Sequence, residues 1–203
     1  MKIIVNTIRV YEYHELDDSA KERVKEWYLD DIWRNNSFQD DIEGELECLF
    51  PNSKLKVCYS LSNCQGDGLN VYGTIKLTDF LNMVDGYTSK EINRLRFYFR
   101  YFNEYTFESD NRYCYSCKFI DKKRLEWTAI DLFNALEWNG IRYIDSKLVY
   151  RFLLDMFNWF EDYDRRMEEY GYKFFYEVAE GEVEEVCASN GWMFLEDGEF
   201  YRG

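Results

Sequence analysis

Residues Ser53 to Leu77 read SKLKVCYSLSNCQGDGLNVYGTIKL. Leu55, Val57, Tyr59 and Leu61 alternate with Lys56, Cys58 and Ser60; further on, Leu69, Val71, Gly73 and Ile75 alternate with Asn70, Tyr72 and Thr74. A period of two rich in β-branched and aromatic residues makes strands, because successive side chains leave a strand on opposite faces. Between the two runs, Cys64-Gln65-Gly66-Asp67-Gly68 supplies the glycines of a chain reversal. The stretch predicts an antiparallel hairpin at the centre of a sheet, with helices before and after it.

On the N-terminal side, Ile3 to Tyr13 alternates well enough to predict another strand, through Ile3, Val5, Ile8 and Val10. A helix then starts at Asp17, the expected N-cap, although Ser19 with Glu22 three residues on also matches a capping box. Ala20, Val24, Trp27, Tyr28 and Ile32 form its apolar stripe, and Trp27 and Trp33 read as core anchors. Asn35-Asn36-Ser37 breaks that helix, a shorter one follows from Phe38 to Phe50, and Pro51-Asn52-Ser53 leads into the hairpin.

On the C-terminal side, Thr78 or Asp79 is the expected cap of a short helix from Phe80 to Val84. Ile92 to Phe99 fits a helix by Ile92, Leu95 and Phe99 and a strand by Phe97, Phe99 and Tyr101. Aromatic alternation from Tyr101 to Ile120 around Glu108-Ser109-Asp110-Asn111 predicts a second hairpin. Lys122 to Trp138 is helical, with Leu125, Ala129, Leu132, Phe133 and Leu136 on one side and a stop at Asn139-Gly140. Asp145 caps the longest helix, whose buried stripe runs from Val149 to Met167, with its end expected at Gly171. That is roughly 25 residues, or about 37 Å. Glu161 with Arg165 and Asp162 with Arg166 are expected i,i+4 pairs. Val183, Val186 and Cys187 mark a last helix, and Asp197-Gly198 a last hairpin turn. The pattern predicts one α+β domain over residues 1–203: a mostly antiparallel sheet built from hairpins, helices on one face, and one long helix in the C-terminal half.

The totals bound the function. Apolar residues make up 46% and aromatics 20% of 203 residues, which excludes a disordered chain. Formal net charge is −14, a field that repels phosphate backbones and suits either solubility or a basic partner. No apolar window reaches the length of a membrane span and the first residues lack a secretory core, so a cytoplasmic protein with thiol cysteines is expected.

Motifs with chemistry are few. His14 is the single histidine and has no nucleophile signature around it. Cys114-Tyr115-Ser116-Cys117 is a lone C-x-x-C, to which Cys58 and Cys64 are the available zinc partners. It falls in an expected strand, where residues three apart point to opposite faces, so half-buried thiols are the simpler reading. Asp17-Asp18, Asp30-Asp31 and Asp40-Asp41 have no distinguishing spacing, and Gly66-x-Gly68 lacks the remaining parts of a phosphate loop. No catalytic set and no cofactor motif emerges. Gln65 and Asp67 are the polar residues best placed to touch a partner, on a tip where glycines permit close approach; the same glycines also serve as plain turn geometry.

Two motifs resemble a family of uncharacterised phage and prophage accessory proteins. One runs from Tyr11 to Arg23 and on through Glu26-Trp27-Tyr28; the other is Tyr59 to Gly73 with its Gln65-Gly66-Asp67-Gly68 core. A long aromatic helix ending at Tyr170, Val183-Glu184-Glu185, Asn190, Phe194 and Glu196-Asp197-Gly198 extend the resemblance over most of the chain. Relatives often carry histidines in the hairpin corresponding to Tyr101–Ile120, where this chain has Ser109 and Tyr115, so no histidine-based catalysis or metal site carries over. Some relatives are labelled antitoxin-like. The resemblance implies a small protein acting on host machinery in a bacterial cytoplasm. The leading expectation is therefore a non-enzymatic inhibitor of a nucleic-acid-targeting defence complex, anti-CRISPR-like, docking acidic surface into a basic channel. An antitoxin-like module bound to a toxin and a carboxylate-dependent metal nuclease are the alternatives.

Overall fold

The hairpin forms with the register its alternation requires. In the computed structural model, β1 (Lys54–Ser60) and β2 (Gly68–Lys76) pair antiparallel, with Val57 opposite Val71 and Ser60 opposite Gly68. Leu55, Val57, Leu69, Val71 and Ile75 all point into the core. β3 (Glu104–Phe107) adds to the other side of β2, so β2 is the middle strand. At Gly73 (φ +110°), opposite Leu55, a Cβ would run into the carbonyl oxygen of Lys54, so the close pairing there admits only glycine.

The structure describes residues 7–34, 37–62, 67–107, 122–178 and 181–202. The part of the expected second hairpin beyond Phe107, and the side chains of Ile32 and Trp33, lie outside the described residues. The architecture is α+β, with helices packed against an antiparallel three-stranded sheet. Among the described residues no helix is long and apolar enough to cross a membrane. The chain gathers into two compact units, Phe38–Gly171 and Met1–Ser37 with Tyr172–Gly203.

The larger unit holds the sheet. α2 (Ser37–Leu49) buries Phe38, Ile42 and Leu46. α3 (Leu77–Met83) follows β2 directly, and neither Thr78 nor Asp79 caps it: its N-cap is Lys76, which makes no side-chain cap. Asp79 instead turns inward, 3% exposed, to the loop before β1. α4 (Ser89–Tyr98) settles the ambiguous 92–99 stretch as helix, because Thr88 and Glu91 form a reciprocal capping box that a strand would leave unmade. α5 (Lys122–Trp138) matches its expected bounds and buries Ala129, Leu132 and Leu136.

α6 (Ser146–Tyr176) is the spine of this unit. Asp145 caps it, accepting a hydrogen bond from the Leu148 amide at 3.2 Å. Its apolar stripe lies on the sheet: Phe157 packs edge-on to Tyr105, Phe160 lies 4.6 Å from Phe107, and Asp164 accepts from the Val71 amide at 3.1 Å. The helix has 31 residues because Gly171 does not end it. That glycine is a notch. A Cβ there would press on Leu61 and come within 2.8 Å of the Phe38 ring, so the helix keeps its hydrogen bonds and gives up a side chain to let the core close. The expected i,i+4 pairs also differ, since Arg165 bonds Asp162 one step nearer and Arg166 reaches the Asp162 carbonyl.

The smaller unit is built on α1 (Asp18–Arg34) and α7 (Glu182–Asn190). Asp17 is the cap, its Oδ1 accepting from the Ala20 amide at 2.8 Å. Ala20 and Val24 pack with Tyr13, Leu16, Val183, Cys187 and Phe194. Trp27 anchors the rim of that cluster, stacked on Phe200 at 4.9 Å and edge-on to Trp192 at 5.2 Å. The last hairpin reverses at Asp197-Gly198, where Phe194 bridges Phe200. The expected N-terminal strand is corrected. Of its described residues only Tyr11 pairs, in a single bridge to Phe194, and a 3-10 turn follows at Tyr13–Glu15. Ile8 is 56% exposed, so the alternation there has no second layer to bury it.

Candidate functional site: an acidic surface on α2, α6 and the hairpin base

Asp67 sits where β2 begins, half-buried, and its Oδ1 accepts from the hydroxyls of Ser60 and Ser62, both at 3.2 Å. These bonds tie the carboxylate to the base of the hairpin. Gln65, its companion at the tip, lies outside the described residues, as do Cys64, Cys114 and Cys117; Cys58 is a half-buried cysteine on β1, not in a disulfide. Among the described residues no group of three or more His, Cys, Asp or Glu side chains is arranged to hold a metal ion.

Helix α6 brings further carboxylates to Asp67. Glu168 is pushed up from the ordinary carboxylate range, first by burial and then by the negative charges of Asp67 and Glu169. On either side of Glu168 in the sequence, Met167 and Tyr170 join Asp41, Ile42 and Glu45 of α2 in lining a shallow depression of about 380 Å³. Its parts are held in place. Phe38 wedges between Tyr59 of β1 and Tyr170, and the buried Tyr163 hydroxyl donates to Glu45 at 2.9 Å. Burial and that bond together push the Tyr163 phenol far up, so it remains a donor at any ordinary pH.

The chemistry of this surface follows from its charge. Asp41 and Glu45 line the depression beside Met167 and Tyr170, and farther round α6 the charges of Asp67 and Glu169 reach Glu168. Mutually repelling carboxylates, one of them partly desolvated, gain free energy when a cation approaches. Of these acids the sequence singles out Asp67 alone, on its glycine-flanked tip. Their grouping depends on the hairpin base meeting α6 about a hundred residues later in the chain.

One prediction follows. A carboxyl raised in the folded state favours folding while protonated and opposes it once ionised, so its contribution is lost as pH rises through the folded pKa. Asp67→Asn should move the Glu168 pKa, followed by carboxyl-carbon NMR, part of the way back down. Because burial is the larger cause, some elevation should persist. An unchanged Glu168 would show that Asp67 exerts no field on it.

A second cavity lies in the smaller unit. His14, Glu12, Glu184, Cys187, Trp192 and Met193 help line a pocket of about 140 Å³. His14 Nδ1 is 3.3 Å from Glu12 on the exposed rim. Burial pushes the Cys187 thiol up to about 11, which leaves it protonated and weakly nucleophilic at neutral pH. The pairing of thiol and imidazole in one pocket therefore lacks the thiolate that nucleophilic chemistry needs.

Comparison with protein-family models, with curated proteins and with solved structures gave no match.

Proposed function

We propose that this protein is a non-catalytic, phage- or prophage-encoded inhibitor that binds a host nucleic-acid-targeting defence complex and occupies its basic channel in place of nucleic acid. The observation that carries the reading is the acidic surface of α2, α6 and the hairpin base, in a chain of net charge −14. A nucleic-acid channel presents Lys and Arg side chains spaced for phosphates, and clustered carboxylates on a rigid helix pair can neutralise them in the same way. The elevated Glu168 supports a surface that gains from a basic partner, since an approaching guanidinium would relieve both repulsion and desolvation. The resemblance of residues 11–28 and 59–73 to phage accessory proteins supplies the setting.

Inhibition assays against a panel of CRISPR effectors and restriction nucleases test this directly. At least one effector should be inhibited, with affinity falling steeply as salt rises. A variant carrying Asp41→Lys and Glu169→Lys, both exposed, should lose that inhibition while keeping its fold. Failure of the wild-type protein to bind or inhibit any effector defeats the reading, and tight one-to-one binding of a toxin encoded beside it would replace it with the antitoxin-like one.

A further inference from the structure

The pocket that His14 shares with Cys187 lacks a nucleophile, yet its walls suit a different task. Its volume of about 140 Å³ is close to the roughly 150 Å³ that admits a benzene-sized group, and below the ~300 Å³ at which pockets take whole small molecules. It suits the end of a side chain. Two exposed carboxylates border it, Glu12 from just before the 3-10 turn and Glu184 from α7. Among the described residues Glu184 makes no ion pair or hydrogen bond. The last turn of α7 supplies Cys187, Ala188 and its C-cap Gly191, and the carbonyl end of a helix carries partial negative charge. Trp192 completes the wall, its ring T-shaped to Trp27 at 5.2 Å and to Phe200 at 5.9 Å. The bases nearby are already engaged. His14 lies 3.3 Å from Glu12. Lys21 and Lys25 line a separate depression that Tyr13 and Glu184 also border; there Lys21 sits over the Tyr13 ring at 5.9 Å and Lys25 pairs with Glu22 at 2.6 Å.

We propose that this pocket receives a guanidinium group, presented by an arginine side chain of a partner protein. A cation answers the two carboxylates and the helix end at once. Among cations the walls select the planar one. A quaternary ammonium has no N–H to give Glu12 and Glu184, whereas a guanidinium offers five donors in a rigid fork. A lysine ammonium holds its water more strongly and costs more to strip beside Trp192, Ala188 and Met193; a guanidinium is weakly hydrated and stacks on an indole. The wall adds no competing charge, since burial keeps the Cys187 thiol protonated. The site belongs to the smaller unit, shares no residue with the acidic surface on α2 and α6, and does not depend on the partner being a defence complex.

The probe is arginine blocked at both ends, N-acetyl-arginine amide, titrated into the whole protein. Proton–nitrogen NMR of the indole N–H groups reads it, with the Trp192 signal assigned through Trp192→Phe. That signal should shift saturably. N-acetyl-citrulline amide, which keeps the shape and lacks the charge, should leave it unmoved, and N-acetyl-lysine amide and choline should bind more weakly than the arginine probe. Glu12→Gln with Glu184→Gln should weaken arginine binding by roughly fivefold or more. Far-UV circular dichroism should be unchanged, since both side chains are exposed. No saturable shift with blocked arginine overturns the proposal, as does an equal shift from the citrulline probe. Binding of lysine amide or choline as tight as that of arginine, or arginine binding indifferent to the two glutamine substitutions, does the same. Free arginine binding more tightly than the blocked form would mean that the site reads the amino acid's own termini, which also overturns it. Loss of defence inhibition on charge reversal at Asp41 and Glu169 leaves these outcomes untouched, so the two readings fail separately.

Discussion

Phe152→Ala is expected to lower the free energy of unfolding by roughly 3–5 kcal/mol. Phe152 is fully buried on α6 and meets three rings: Phe99 at 4.9 Å, Phe80 at 5.5 Å and Tyr87 at 6.2 Å. It therefore joins α3, α4 and the loop between them to the long helix. Removing it costs the transfer free energy of the ring and leaves a cavity whose walls are themselves rigid aromatics, ill suited to collapse. Its ring pairs add about 0.5–1.5 kcal/mol each beyond area. Against a total stability of about 5–15 kcal/mol, this is a large fraction. Urea unfolding followed by circular dichroism measures it, with Leu154→Ala, two residues on and 39% exposed, as the comparison. Leu154→Ala should change stability by no more than about 0.5 kcal/mol. Similar losses at both sites would mean that Phe152 does not organise the core.

Asp79→Ala should cost about 3 kcal/mol, although it removes little apolar surface. The Asp79 carboxylate accepts three bonds of 2.8 Å, from the Asn52 amide, the Asn52 side chain and the Ser53 hydroxyl. Ser53 in turn accepts from the Lys76 amide at 2.9 Å, so one buried acid ties the loop before β1 to the end of β2. Alanine leaves these donors unmatched in a place water scarcely reaches, and each orphan costs about 1–3 kcal/mol. Asp79→Asn should fall between, because its amide keeps one acceptor oxygen and turns an NH2 towards the donors. Urea midpoints of the three proteins should order wild type, Asn, Ala. Equal midpoints for wild type and alanine would contradict the network.

Much of the fold was legible because it is written in local periodicity. The alternation of 55–61 and 69–75 dictated the hairpin, and the 3.6-residue stripes placed α5 and the start of α6. What failed to show depends on partners distant in sequence. Gly171 looks like a helix stop when only its missing side chain is considered; Leu61 and Phe38 make it a notch. Asp79 looks like a cap until the Asn52–Ser53 loop claims it. Ile8 and Val10 alternate like strand residues, yet Phe194 offers the chain beside them one bridge at Tyr11. The same division holds for the candidate surface. Asp67 could be singled out from its glycine neighbours, but its charge reaches Glu168 only because the hairpin base meets α6, and Asp41 and Glu45 meet Met167 and Tyr170 only where α2 and α6 line one depression.

The hairpin's outward-facing amides have a consequence for how this protein can be approached. At the opposed pair Val57 and Val71, both amides point away from each other, and each is met by a helix carboxylate: Glu43 at 3.2 Å and Asp164 at 3.1 Å. Strand addition by a passing chain needs those donors, and it finds them taken. Glu43 feels burial, which alone would raise it, yet bonds from Lys56, Gln39 and Val57 hold it below the ordinary carboxylate range. A depressed carboxyl lends its stability above the unfolded pKa and withdraws it as pH falls through the folded one. Acid strong enough to protonate Glu43 weakens the latch on the Val57 amide, so the shielding of this strand edge depends on pH.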